Sequence, residues 1–160
     1  STLFPYTTLF RSSITEILGE NYKAISFRFQ NKLGDFKEFT FKELTRSNKQ
    51  KLLQNALDTL QKLLSANNGK KLLVTADSPS FLAEAAKLQN VVTVKGKSIH
   101  IDFNNSQKAT DYLKAFTEFF LISKASSAKL YRNRKYKTYP SNFPKYAALL
   151  GHVPYEIVER

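Results

Sequence analysis

Four places in this 160-residue chain set a reactive or ligand-holding side chain where an apolar run gives way to a turn or a helix. Arg28 lies near the end of the alternating run Lys23–Phe29 and precedes the turn residues Asn31-Lys32-Leu33-Gly34-Asp35. A planar guanidinium at a strand end can make paired hydrogen bonds to a diphosphate, the plain alternative being a surface arginine on an edge strand. Asp77 and Ser78 follow the apolar run Lys71–Ala76 and precede Pro79. There a carboxylate can accept from a ribose or base, and a hydroxyl with free helix N–H groups can receive phosphate oxygens, whereas ordinary helix capping explains Ser78 without any ligand. Ser141, in Tyr139-Pro140-Ser141-Asn142-Phe143, repeats the pattern of a small polar residue opening a helix. His100 stands between Ile99 and Ile101 on the face that Asp102 shares, a setting in which a lone histidine is more often a structural hydrogen-bonding residue than a catalyst. In α/β proteins such strand-to-helix steps aim N–H groups and the positive helix end at the carboxyl edge of a sheet, so a nucleotide-type ligand is the first hypothesis.

Other chemistries find less support. His152 is the only histidine besides His100, and no carboxylates are spaced as a cation site requires, so no metal is expected. There is no Gly-x-Gly-x-x-Gly and no glycine-rich loop ending in Lys-Ser or Lys-Thr, which weakens dehydrogenase, kinase and NTPase readings. Lys129–Tyr139 interleaves Lys129, Arg132, Arg134, Lys135 and Lys137 with Tyr131, Tyr136 and Tyr139, a mixture that can follow a nucleic-acid backbone and stack bases. The tract is short and the other lysines are scattered, so a solvated loop is the expectation and a basic α/β nucleic-acid-binding module the alternative. The net charge of +12 suits nucleic acid, an anionic membrane surface or phosphorylated small molecules alike.

The elements that must hold these residues follow from periodicity. Ile25, Phe27 and Phe29 share one face of a strand, and Leu53, Leu57, Leu60 and Leu64 mark a helix over about 45–66 closed by Asn67-Asn68-Gly69. Residues 71–76 read as a buried parallel strand, and Ser78 with Pro79 starts a helix that stops near Gln89-Asn90. Short strands are expected at 91–94 and 98–102, and a helix at 109–125 with Leu113, Phe116, Phe120 and Ala125 inward. The order continues with a strand at 128–131, a helix from Ser141 stopped by Gly151, and a last strand at 153–158. Alternation of this kind requires crossovers, and so an α/β fold: a Rossmann-like parallel sheet with helices on both faces.

Length and a hydrophobic content of 42% fit one domain, placed at 13–160. Residues 2–12 read as the translation of a common sequencing-library adapter, so 1–12 are set aside as irregular and the chain is expected to be a fragment lacking what precedes Ser13. No apolar run reaches the roughly 20 residues of a membrane span. No secretory signal is seen, and cysteine is absent, so the cytoplasm is the default location.

Five segments, Ile25–Phe36, Val74–Ser78, Ile99–Asp102, Ala115–Ala125 and Tyr139–Ala148, come in an order that resembles the C-terminal, donor-binding half of fucosyltransferase-like glycosyltransferases of the two-Rossmann-domain (GT-B) type, the group that includes the nodulation and protein O-fucosyltransferases. The likeness covers about Tyr22 to Glu159. It implies a GDP-sugar donor, GDP-fucose first, transferred without a metal or other cofactor to a glycan or protein hydroxyl that a missing N-terminal half would bind. It implies further that Arg28 neutralises the leaving β-phosphate, that Asp77 and Ser78 lie near the nucleoside, that Ser141 and Phe143 contact the diphosphate and pack beside the nucleotide, and that His100 belongs to the same site. The chain departs from the pattern at Phe29, where the family has a second arginine, and at Thr117-Glu118, where an aspartate precedes the paired aromatics. Without the acceptor half no general base can be named, and weak nucleotide binding without turnover is expected.

Overall fold

The computed structural model describes residues 12–36, 42–99 and 112–160. Five strands, β1 (Lys23–Phe27), β2 (Leu72–Ala76), β3 (Val91–Val92), β4 (Ser127–Arg132) and β5 (Tyr155–Glu159), form one sheet in the order β3-β2-β1-β4-β5, every pair parallel. Helix α1 spans 12–18, followed by α2 (Arg46–Ser65), α3 (Pro79–Ala85), α4 (Leu113–Ile122) and α5 (Phe143–Gly151). The expected Rossmann-like α/β architecture is therefore present. The chain builds outward from β1 to β3, crosses back through α4 to the other side of β1, and builds outward again to β5. The strand order reverses between β1 and β4, which makes the carboxyl ends of those two strands the natural crevice of the sheet.

Alternation along the strands divides the core into two layers. Ile25, Phe27, Leu72, Val74 and Tyr131 pack against Leu52, Ala56 and Leu60 of α2 and Phe81 and Ala85 of α3. Ala24, Leu73 and Ala128 face the other way, toward Ile14 and Leu18 of α1, Leu121 and Ile122 of α4, and Ala147 and Ala148 of α5. Phe27 lies 4.4 Å from the ring of Phe81 and 5.0 Å from that of Tyr131, so aromatic contacts close the first layer under the carboxyl edge.

The ends of α2 follow local chemistry. Thr45 accepts from Asn48 N at the start, and the chain leaves through left-handed Asn68 and Gly69 as the cap signature requires. Several expectations need correcting. Gly151 is the last residue of α5 and not its stop; the left-handed residue is His152, with φ of 53°. Gly151 stands where it does because α5 passes against the end of α4, and a Cβ would run into the carbonyl of Ser123. In α4 the buried residues are Lys114, Thr117, Glu118, Leu121 and Ile122; of the residues expected inward, Phe120 packs against the core and Ala125, just past the helix, is buried, while Phe116 is 64% exposed. Strand β3 is only two residues long, and residues 98–99 are not strand; the rest of the expected 98–102 strand, with His100, lies outside the described residues. Helix α1 had no counterpart in the reading of the sequence, and Ser12, assigned there to the adapter, is already helical.

Gly151→Ala tests the close packing of α5 on α4. Backbone must move to admit the methyl group, so a loss of about 1–3 kcal/mol is expected, read as a lower urea midpoint at unchanged m-value.

Candidate functional site

At the carboxyl edge the tips of β1 and β2 are joined by one carboxylate. Asp77 is buried, accepts from the backbone N–H groups of Phe29 (2.9 Å) and Gln30 (2.7 Å), and pairs with Arg28 Nη1 at 3.2 Å. Gln30 takes a left-handed conformation, φ 56°, at the start of a single 3-10 turn (Gln30–Leu33). The sequence placed Arg28 and Asp77 on separate strand ends, and the parallel register of β1 against β2 brings them together. One step lower, Ser26 Oγ and Thr75 Oγ1 are 2.8 Å apart, so these neighbouring strands carry a polar seam leading to the edge.

Ser78 is fully buried and bonded within the protein. Its Oγ accepts from Phe81 N as the N-cap of α3 and donates to Asp35 Oδ2 at 2.7 Å. The same Asp35 oxygen accepts from Ser80 N (2.9 Å) and Ser80 Oγ (2.6 Å). Residues 34–36 are thereby pinned to α3, and Phe36 places its ring 5.2 Å from the Arg28 guanidinium carbon. No role for Asp35 or Phe36 was legible from local pattern. The spacing Arg28…Asp35-Phe36 acquires meaning only once the intervening turn folds back.

Helix α4 brings a second ion pair. Lys114 Nζ and Glu118 Oε1 are 2.5 Å apart and both residues are buried, on the side of the helix that also buries Thr117, Leu121 and Ile122. The stem of Lys114 lies against Gly96, where φ is 126° and a Cβ would approach Lys114 Cβ to 3.2 Å. Loss of water pushes the Asp77 carboxyl up to about 6, against the downward pull of Arg28 and the two N–H groups. Burial likewise pushes Glu118 up to about 7, against Lys114, with the charge of Asp77 adding to the rise. Charges on β1, β2 and α4 therefore interact at one end of the sheet. The one sequence sign of the Lys114–Glu118 pair was its four-residue spacing.

On the far side of the crevice, residues 133–142 lead from the carboxyl end of β4 to the start of α5, so Ser141 and Phe143 lie along the same edge as Arg28 and Asp77. Ser141 Oγ accepts from Phe143 N at 3.3 Å, and the Phe143 ring meets Phe119 of α4 edge-on at 5.3 Å. The three distant positions Arg28, Asp77 and Ser141 share one end of the sheet, with direct contact between the first two.

The basic aromatic tract is only in part a solvated loop. It begins within β4 and continues as a turn over 133–139 in which Arg134, Lys135, Lys137 and Tyr139 are exposed, but Tyr131 and Tyr136 are buried, and Lys129 pairs with Glu156 while Arg132 and Arg134 pair with Glu159. Two of its three stacking rings are thus inside the protein, and Asn133 closes the following turn by donating to Tyr131 Oη (3.0 Å) and accepting from Tyr136 N. This removes the main support for base stacking. Among the described residues no group of three His, Asp or Glu side chains is placed to hold a metal ion, and no helix is long and apolar enough to cross a membrane.

Parallel strands, the reversal at β1/β4 and a charged carboxyl edge define a Rossmann-like α/β domain. No protein-family model matches the chain, and no curated protein does. Among solved structures it is similar to NodZ α-1,6-fucosyltransferase co-crystallised with GDP, with a TM-score of 0.55 at 13% identity over 91% of this chain and 41% of that one. The same enzyme soaked with GDP-fucose gives 0.52, and fucosyltransferase NodZ from Bradyrhizobium gives 0.51, both at 12% identity and the same coverage. The chain thus has a fucosyltransferase-like fold and spans about two fifths of the length of the structures it matches.

The Glu118 environment has a pH signature. A carboxyl whose folded-state pKa lies above its unfolded value binds the proton more tightly when folded, so the stability it gives is complete at low pH and is lost as pH rises. For Glu118 the window runs from the ordinary 4.5 to about 7. Glu118→Gln, which cannot ionise, is expected to lose less stability than the parent chain across that window, measured by urea midpoints; parallel curves would show that Glu118 is not the buried acid described.

Proposed function

We propose that the chain is the donor-binding half of a glycosyltransferase and takes a GDP-sugar, GDP-fucose first, at the carboxyl edge between β1 and β4. The observation that carries this reading is Arg28, fixed at the tip of β1 beside the crevice by the buried Asp77. Its 18% exposed side chain retains a surface from which a guanidinium edge can meet phosphate oxygens. In glycosyl transfer, negative charge grows on the departing diphosphate, and a preorganised cation stabilises that change more than it stabilises the bound donor. Arg28 would supply this charge in place of a metal ion. Similar structures were obtained with GDP and with GDP-fucose, which supports the choice of nucleotide.

Within this proposal the named residues divide by position. Arg28 meets the β-phosphate, and Ser141 and Phe143 border the diphosphate and the nucleotide from the β4 side. Asp77 and Ser78, whose bonds end on Phe29, Gln30, Arg28, Asp35 and Phe81, serve the nucleoside side chiefly by fixing the backbone that surrounds it. His100 stays in the proposal as a residue of the same edge on family resemblance alone. A glycan or protein hydroxyl would be the acceptor, bound by a second half beyond this chain, and the absence of cysteine suits a cytoplasmic setting.

Ligand linkage tests the reading. GDP is expected to raise the melting temperature more than ADP or UDP at equal concentration; at 100 times Kd the stabilisation is about 2.7 kcal/mol. Arg28→Ala should remove most of the GDP effect. An unchanged GDP shift in that variant would refute the phosphate role.

A further inference from the structure

A diphosphate contact requires the guanidinium to be held in orientation as well as in place, and both Asp77 and Phe36 restrain Arg28. Asp77 engages one edge at 3.2 Å, and the Phe36 ring lies 5.2 Å from the guanidinium carbon. Phe36 is buried, yet it belongs to a turn outside the sheet and needs its own anchor. Asp35 provides it. Gly34 N bonds to Asn31 O at 3.0 Å, Gly34 takes φ 83° to reverse the chain, and Asp35 Oδ2 then receives Ser78 Oγ, Ser80 N and Ser80 Oγ. A Cβ on Gly34 would meet the far ends of the flexible Glu43 and Lys49 side chains, so it is the positive φ that calls for glycine at this turn.

We propose that Asp35 is a positioning residue for Arg28: by clamping the 34–36 turn to the start of α3, it holds the Phe36 ring against the guanidinium and sets the direction in which the arginine faces its ligand. The functional part rests on the phosphate role of Arg28. The geometric part does not. A charged acceptor with three donors on one oxygen is a strong tether, and it joins parts of the chain 43 and 45 residues apart. An aromatic face against a guanidinium favours a cation and fixes its plane, which a point contact with one carboxylate oxygen cannot do.

The test is the Nε–Hε NMR signal of Arg28 in the full chain without nucleotide, assigned by its loss in Arg28→Lys. Phe36→Leu gives the position of the signal without the ring current. Asp35→Ala is expected to move the signal most of the way to that position, and Asp35→Asn, which keeps an acceptor, to move it less. Ser80→Ala, at an exposed position, deletes one donor and should give a smaller movement in the same direction even if Asp35→Ala fails to fold. An Arg28 signal that shifts in Phe36→Leu but stays fixed in both Asp35→Asn and Ser80→Ala would overturn the proposal. With GDP added, Asp35→Asn should weaken binding while keeping nucleotide preference. If the signal responds as expected but Arg28→Ala leaves GDP binding intact, the clamp stands and the phosphate reading falls.

Discussion

A single buried carboxylate holds the working edge of this sheet in shape. Asp77 takes two backbone N–H groups from the segment that leaves β1 and an ion pair from Arg28, so β1 and β2 end as one unit. Deprived of those partners, an ionised carboxylate in this setting would cost several kcal/mol, and the N–H groups of Phe29 and Gln30 would lose their acceptor in a buried place. Gln30 accepts a left-handed backbone to reach it. Breaking a local rule at this point, within a parallel sheet otherwise regular, marks where the fold gives up ease of folding for a defined surface.

The polar seam extends in both directions from that carboxylate. Toward solvent, Phe36 and the Asp35 clamp flank Arg28; toward α4, the Lys114–Glu118 pair lies close enough for Asp77 to raise the Glu118 pKa. Buried ion pairs give little net stability, because desolvation offsets most of the Coulomb attraction. Their concentration at one end of the sheet is therefore better explained by what that end must present. Rossmann-like sheets place ligands at the reversal of strand order, and here the charges gather beside it.

Fold class was legible in the sequence because parallel strands buried on both faces write continuous apolar runs, as in Lys71–Ala76, and because α2 carries its own cap and periodicity. The site was legible where strand ends coincide with polar residues, which singled out Arg28, Asp77, Ser78 and Ser141. Asp35 and Phe36 were not, since their importance depends on contacts across 43 and 8 residues that no local pattern records, and for Lys114 the four-residue spacing to Glu118 does not tell a buried pair from an exposed one. Phe116 misled for the opposite reason. It fits the stripe that Phe120 and Ala125 share, but at its level the helix buries Lys114, Thr117 and Glu118 and leaves Phe116 outside. Tyr131 and Tyr136 looked available for stacking because periodicity cannot tell that β4 and the Asn133 turn draw them inside.

The proposed ligand site is the carboxyl edge between β1 and β4. The most direct measurement is a two-dimensional NMR titration of the full chain with GDP, following backbone amides together with arginine side chains. Saturable shifts centred on Arg28, Phe29, Phe36, Ser141 and Phe143, with little change at the opposite edge around Tyr22, Lys71 and Pro154, are the predicted result. Shifts centred on that opposite edge, or none at millimolar nucleotide, would contradict the account.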